Sequence, residues 1–510
     1  MQQQRGNCTS HTLNRRTFLA AATMAATGLT ARGLERVQQS QSQVDRHLTE
    51  YFSTQDNSTG NARPADQRPN ILLITTDQQW AGAMSCAGNP YVNTPSIDSI
   101  ASNGVQFECA YCANPICVPS RTSYMTGTPS HENGVVTNMR PDQIDVAVPC
   151  LAKVLKDNGY DTGYVGKWHL PHSISDTKWS GFDFTANIRS GAVDFDVPAS
   201  CAEFMVKRRS NPYFLVASFV NPHDICEWAR RYSGIEEQLG NGEIGAPPPP
   251  DQCPPIPSNH AIPEPEPGVI RQHQAEESMA NAYPTRDWTV EDDRWRQYLW
   301  GYYRMIELVD TYIGQVLEVL RKTGQEENTV IVFTSDHGDG MGAHRWNQKT
   351  LFYDEVSRIP FIVSWKGHTK AAARDRKRLV NMGLDLFPTM FDFAGIEKPA
   401  YLRGLSAAPN AMGIASSPTH PYIVSENNHH KGFGNPTGVH GRMLRTPRYK
   451  YIRYNEGANP EQLFDMQLDP GETKNIAVDI QSQSILNEHR HLLQEYIECT
   501  SDNFPAIWTE

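Results

Sequence analysis

The chain has 510 residues, of which 39% are hydrophobic and 20% charged. Such a chain holds several domains or one large α/β unit with an appendage, has ample material for a core, and is excluded from wholesale disorder. The formal net charge of −11 argues against a nucleic-acid binder, and no apolar run reaches the roughly 20 residues that span a bilayer.

At the N-terminus, Asn14-Arg15-Arg16-Thr17-Phe18-Leu19 precedes a weakly apolar, Ala/Thr-rich stretch over 20–31. Paired arginines, then Phe-Leu, then a modest apolar region resemble a twin-arginine export signal. The resemblance implies that residues 1–31 are a signal peptide, with Leu29-Thr30-Ala31 as its cleavage site. It also implies the twin-arginine machinery as a partner and a periplasmic or secreted location. Residues 32–66 are rich in Gln, Ser, Asn and Asp without an apolar period and read as a flexible linker. A main domain over 67–415 and a C-terminal subdomain over 416–510 follow.

Four apolar runs in the main domain end in chemically capable residues. Asn70-Ile71-Leu72-Leu73-Ile74-Thr75-Thr76 leads into Asp77-Gln78. Asp161-Thr162-Gly163-Tyr164-Val165 leads into Gly166-Lys167-Trp168-His169. Tyr213-Phe214-Leu215-Val216-Ala217-Ser218-Phe219-Val220 leads into Asn221-Pro222-His223-Asp224. Thr329-Val330-Ile331-Val332-Phe333-Thr334 leads into Ser335-Asp336-His337-Gly338. Runs of this kind suit strands buried on both faces. Helical patterns separate them: Leu151, Val154 and Leu155 before one strand, and Tyr302, Ile306, Val309, Ile313, Val316 and Leu320 before another. The alternation predicts a doubly wound α/β/α domain, whose ligands bind beyond the carboxyl ends of the strands. The Pro-rich stretch over 246–268 reads as an extended surface loop at the rim of that site. After about residue 416, short strand-like runs (Tyr422-Ile423-Val424, Arg442-Met443-Leu444, Tyr449–Tyr454) predict a smaller antiparallel sheet with a closing helix near 486–499.

Ten cysteines are too sparse for a disulfide scaffold. Cys109-Ala110-Tyr111-Cys112 has metal-like spacing, but no second pair stands at zinc-site distance, so ordinary buried or paired cysteines are expected.

The most specific segment is Cys117-Val118-Pro119-Ser120-Arg121-Thr122-Ser123-Tyr124-Met125-Thr126-Gly127. Pro119 suits a first helical turn, which places Cys117 at a helix N-terminus, where negative charge is favoured. The segment resembles the C-x-P-S-R-x-x-x-L-T-G signature of type I sulfatases, with Met125 in place of the usual Leu. Gly159-Tyr160-Asp161-Thr162-Gly163-Tyr164-Val165-Gly166-Lys167-Trp168-His169 resembles the second signature of that family. Further likeness extends to Glu461-Gln462-Leu463-Phe464-Asp465 and Asp469-Pro470-Gly471-Glu472.

The resemblance implies an alkaline-phosphatase-like α/β/α sandwich with a smaller C-terminal antiparallel-sheet subdomain. It implies a sulfatase whose Cys117 is converted to formylglycine (3-oxoalanine) by a formylglycine-generating maturation enzyme. Asp77, Gln78, Asp336 and His337, with Cys117, are the implied metal site, for calcium by family likeness. Gln78 and His337 depart from the usual family residues, which leaves manganese and magnesium open; an oxygen-rich set suits each of these hard cations. Arg121, one helical turn after Cys117, is expected to reach back toward the nucleophile. Lys167 and His169 are implied to hold the aldehyde hydrate and sulfate oxygens, and His223 to act as general acid. Lys349 is implied to bind sulfate, and His344 to touch substrate or buttress Lys349. His429, His430, His440 and Arg442 are candidates for the substrate side of the C-terminal subdomain, with an ordinary surface position the stronger reading; Asp339 has no clear role. Export points to an extracellular or periplasmic sulfate ester; the polar site candidates and the chain size favour a sulfated carbohydrate as substrate, with small aryl and choline sulfates left open. Two rivals are a phosphonate or phosphodiester hydrolase on the same scaffold and a non-catalytic sulfoglycan-binding protein.

Overall fold

All four apolar runs become neighbouring strands of one sheet. The computed structural model describes residues 28–55, 68–138, 147–188, 194–232, 244–279, 292–414, 417–431 and 435–505; the expected signal lies outside them up to residue 27. The main sheet comprises β1 (Asn70–Asp77), β2 (Gly104–Tyr111), β3 (Asp161–Gly166), β4 (Phe184–Ala186), β5 (Tyr213–Pro222), β6 (Thr329–Ser335), β7 (Phe361–Trp365) and β8 (Ala373–Asn381). Their order is β4-β3-β5-β1-β6-β7-β2-β8. β1 lies centrally, parallel to both β5 and β6, and every one of its residues is buried. Leu72 and Ile74 face one core and Ile71 and Leu73 the other, the alternation of a strand covered on both sides.

One departure from the parallel pattern is β7, antiparallel to β6 and β2. The chain between β6 and β7 spends itself at the carboxyl edge and makes no crossover helix over the sheet, so the returning strand runs backwards.

The covering helices are α1 (Ala31–Gln55), α2 (Pro95–Ser102), α3 (Cys117–Thr126), α4 (Leu151–Asp157), α5 (Val197–Met205), α6 (Gly268–Met279), α7 (Asp292–Lys322), α8 (Met382–Ala394) and, near the C-terminus, α9 (Gln483–Thr500). α1, α5 and α7 cover one face; α3, α4 and α8 cover the other.

α1 corrects the expected linker. It packs against α5 and α7, with Val44 and Leu48 buried in the core and Ser40 Oγ donating to Gln315 Oε1 at 2.6 Å. Its apolar stripe is thin, because Leu34, Val37, Val44 and Leu48 are widely spaced among Gln and Ser. Such a helix is held by tertiary packing more than by its own pattern. The chain joins the fold even before it: Leu29 bridges Ile244.

The smaller sheet is β9 (Ile423–Lys431), β10 (Asn435–Arg445), β11 (Tyr449–Tyr454) and β12 (Glu461–Asp465), antiparallel in the order β12-β11-β10-β9. α9 covers it through Leu486, Leu493 and Ile497. The sheet shares a core with the main unit, where Ile423, Met443 and Phe464 meet Tyr111, Trp346 and Phe352. Asn381 Nδ2 donates to the Val424 carbonyl at 2.9 Å across the junction.

Two of the C-terminal candidates are internal, against the surface expectation. Arg442 makes a two-pronged ion pair with Asp502, both contacts 2.7 Å, and lies over the Phe504 ring. His429 is buried and stacks on His273, ring centres 4.5 Å apart. His440 is half-buried on β10 and His430 lies on β9; the His430 side chain is outside the described residues. The nine cysteines of the described residues are free.

Leu48→Ala is expected to destabilise the protein by about 2–5 kcal/mol in denaturant titration, the range for a buried leucine; an exposed linker leucine would show almost no change. Asp502→Asn is expected to cost about 3–5 kcal/mol by stranding Arg442. Burial opposes ionisation of Asp502, yet Arg442 holds it below its ordinary value. Its contribution is therefore full above the unfolded value of about 3.9 and is lost as pH falls through the lower folded value. The acid limb of the stability curve should accordingly flatten in the variant.

Candidate active site

β1 and β6 run side by side in register, Thr76 opposite Ser335. The next residues, Asp77 and Asp336, therefore emerge together at the carboxyl edge of the sheet. Both are fully buried, and their repulsion needs a counter-charge. Arg121 supplies it: Nε donates to Asp336 Oδ2 at 2.8 Å and an Nη donates to Asp77 Oδ2 at 2.9 Å. The guanidinium thus bridges the two carboxylates, where the sequence led to a reach toward the nucleophile. Its other Nη donates to the Lys167 carbonyl and to Ser218 Oγ, each at 3.1 Å.

Cys117 opens α3, one turn before Arg121, and is fully buried. Lys349 Nζ lies 3.0 Å from its sulfur and His337 Nε2 3.1 Å from it; Asp77 Oδ1 is 3.8 Å away. His169 and His223 also lie beside the thiol, and Lys349 Nζ lies 3.4 Å from His223 Nε2. Lys167 Nζ pairs with Asp77 Oδ2 at 2.8 Å. All six residues expected to be catalytic (Cys117, Arg121, Lys167, His169, His223 and Lys349) are thus brought together around one centre from four segments of chain.

Asp77, Cys117, Asp336 and His337 place one ligand atom each within 4.8 Å of one another. His337 Nδ1 donates to the Gly338 carbonyl at 2.8 Å, which leaves the Nε2 lone pair facing the cluster. Two fixed carboxylate groups and an oriented imidazole fit a divalent cation. Gln78 is placed differently. Its backbone N–H donates to Asp336 Oδ1 at 3.1 Å, but its carboxamide donates to Asp339 Oδ2 at 2.8 Å and Gln348 Oε1 at 3.3 Å.

The charges agree with this arrangement. Burial would raise Asp77, but Lys167, His223, Arg121 and His337 outweigh it and hold the carboxyl well below the ordinary range. Burial and the neighbouring Asp77 charge push Asp336 up to about 7, a like-charge conflict that a bound cation relieves. Burial and Asp77 oppose ionisation of Cys117, yet Lys349, His337 and Lys167 hold its thiol well below its usual value. Burial, Lys167 and Lys349 push His223 down to about 4.

Several residues were not legible in the sequence. Tyr164 OH and Ser218 Oγ donate to the Lys167 carbonyl at 2.5 and 2.8 Å, fixing the stem of that lysine. Asp339, without a role until now, is a buried hub: Tyr298 OH donates to its Oδ2 at 2.7 Å and the Gln348 backbone N–H at 3.2 Å. It joins Gln78, beside Asp77, to the residue before Lys349. His344 is brought elsewhere: it is buried, stacks on Tyr353 with ring centres 3.9 Å apart, and clusters with Glu355 and Glu472. The Pro-rich arm packs on the same loop, with His260 Nδ1 donating to the Gly342 carbonyl at 2.6 Å.

The fold and this site can be set beside known proteins. The sulfatase family model matches residues 69–396, and a model for the C-terminal region of N-sulphoglucosamine sulphohydrolase matches residues 342–498. A Δ4,5-hexuronate-2-O-sulfatase of Bacteroides thetaiotaomicron is 32% identical over 470 residues, covering 88% of this chain and 92% of the relative. An ulvan-active sulfatase of Formosa agariphila is 28% identical over 453 residues, covering 86% and 83%. The solved structure of a 2-O GAG sulfatase superimposes with a TM-score of 0.73 at 30% identity, covering 87% of this chain and 95% of that one. With Cys117 at the head of its helix, paired strand-end carboxylates and this extent of likeness, the chain belongs to the type I sulfatases of the alkaline-phosphatase-like superfamily and is a sulfuric ester hydrolase.

Proposed function

We propose that the enzyme releases sulfate from a sulfated carbohydrate, using a formylglycine formed from Cys117. The observation that carries this reading is the meeting of Lys349 Nζ and His337 Nε2 on the Cys117 sulfur, at 3.0 and 3.1 Å, beside Asp77. The sulfur stands where the oxygens of a converted residue would begin. A carbohydrate is supported by the hexuronate and ulvan in the names of the relatives.

Hydrated formylglycine supplies two hydroxyls on one carbon, one to bond sulfur and one whose deprotonation releases sulfate and restores the aldehyde. A divalent cation, calcium in this reading, held by Asp77, Asp336 and His337, supplies positive charge for the nucleophilic oxygen. Gln78 would join those ligands only by turning its carboxamide away from Asp339. Arg121 fixes both carboxylates and favours their ionised form, with Asp336 still raised by its neighbour Asp77. Lys167 and Lys349 flank Cys117 and, with His169, offset the charge that grows on the sulfate oxygens. His223, held low by burial, Lys167 and Lys349, takes up a proton when the negative ester enters beside it and passes that proton to the departing alcohol oxygen. His344 has a supporting role in the loop that carries Lys349. Attraction of the anionic ester is local, since the chain as a whole carries −11. The paired arginines support export of the folded, already converted enzyme through the twin-arginine machinery.

Protein produced with a formylglycine-generating enzyme is expected to yield a position-117 peptide of aldehyde mass and to release sulfate from sulfated saccharides. Unmodified cysteine despite that partner, binding of sulfated glycans without release, or faster turnover of a matched phosphonate or phosphodiester would each overturn the reading. His223→Ala is expected to lower turnover of alkyl sulfates, including sugar sulfates, by about 10²–10⁴-fold. Esters with an acidic phenol leaving group should lose much less, because they depart without a proton; equal losses on both would remove His223 as the acid.

A further inference from the structure

Lys349 reaches Cys117 along a flexible four-carbon stem, so its ammonium is placed only as well as its backbone is held. That backbone is unusual. Gln348 and Thr350, on either side of the lysine, have φ of +72° and +82°. A β-branched residue takes such a conformation only when its surroundings impose it.

The surroundings of Thr350 do impose it. Its N–H donates to the Pro115 carbonyl at 3.0 Å, and its own carbonyl accepts from Asn427 Nδ2. Its hydroxyl donates to the Lys349 carbonyl at 2.5 Å, and Trp346 Nε1 donates to the same oxygen at 3.1 Å. With that hydroxyl hydrogen committed, Thr350 Oγ1 accepts from His273 Nε2 at 3.0 Å, so His273 carries a proton on Nε2. The His273 ring is itself held by stacking on His429 of β9 and on Trp346, ring centres 4.5 and 5.9 Å apart. His273 belongs to α6, which continues the Pro-rich arm. Three separate pieces of the molecule, the approach to α3, the arm and the small sheet, thus close on the peptide that follows Lys349.

We propose that Thr350 and His273 are positioning residues for Lys349: the His273 N–H orients the Thr350 hydroxyl, and the hydroxyl locks the Lys349 carbonyl so that the ammonium meets the nucleophile. The proposal rests on the role given to Lys349 above. It assigns catalytic consequence to the arm and the small sheet, neither of which supplies a group to the Cys117 network among the described residues.

The test uses full-length converted enzyme with an aryl sulfate probe. Thr350→Val keeps the shape and removes the hydroxyl; Thr350→Ser keeps the hydroxyl; His273→Phe keeps a stacking ring and removes the donor. Thr350→Val and His273→Phe are each expected to lower kcat by about 10- to 100-fold, the effect of a small misplacement of a catalytic group. KM and Tm should change little, and Thr350→Ser should recover most of the loss. In a Lys349→Ala background neither substitution should lower the residual rate further, since both act through the lysine. Full kcat in Thr350→Val, or an equal loss with and without Lys349, would overturn the proposal. Should Thr350→Val not fold, His273→Phe decides by the same criteria. Unchanged kcat in Lys349→Ala alone is a different failure, that of the role given to the lysine.

Discussion

A single buried guanidinium sets the geometry on which the site depends. Two parallel neighbouring strands deliver Asp77 and Asp336 to the same point, where two unscreened carboxylates would repel or take up protons. Arg121 binds one oxygen of each, and its planar fork fixes them relative to one another as a lysine could not. Removing Arg121 from water is costly, and the attraction offsets that cost only because its remaining donors also find the Lys167 carbonyl and Ser218. The bridge then determines the seating of α3. Cys117 follows by helix geometry, one turn earlier and on the same side.

Around that centre the molecule alternates charge at short range. Asp77 and Asp336 form an anionic floor. Lys167 pairs directly with Asp77, and Lys349 reaches the Cys117 sulfur beside them. Each lysine is held by its backbone as well as by its ammonium: Lys167 through Tyr164 and Ser218, Lys349 through Trp346 and Thr350. Asp339 ties the two halves together by gripping Gln78 on one side and the Gln348 backbone on the other. A network in which nearly every member has two partners reorganises little when charge develops, which is the condition for electrostatic stabilisation of a transition state.

Much of this was legible in the primary structure, and the reasons are local. The runs ending at Asp77, Lys167, His223 and Asp336 are continuous apolar segments, and a buried parallel strand leaves no other pattern. Helix α3 announces itself through Pro119 and Gly127 at its two ends. α1 was missed because its apolar residues are few among Gln and Ser, although Leu34, Val37, Val44 and Leu48 keep to one helix face; the helix is held because α5 and α7 offer that face a surface. Arg442 and His429 were misplaced outward for a related reason. Polar residues on an antiparallel strand ordinarily face water, and only Asp502 and His273, 60 and more than 100 residues away in sequence, turn these two inward.

The sequence by itself determined the chemistry and the family: Cys117, Arg121, Lys167 and His169 sit in contiguous signatures whose spacing is a matter of one helical turn or one strand end. Tertiary structure alone decided how those groups are held. The bridging of two carboxylates by Arg121, the turn of Gln78 toward Asp339, the separation of His344 from the nucleophile and the clasp on Lys349 all join residues far apart in the chain. Contacts of that kind are fixed by strand order and register, which are properties of the whole sheet, and no local pattern of residues encodes them.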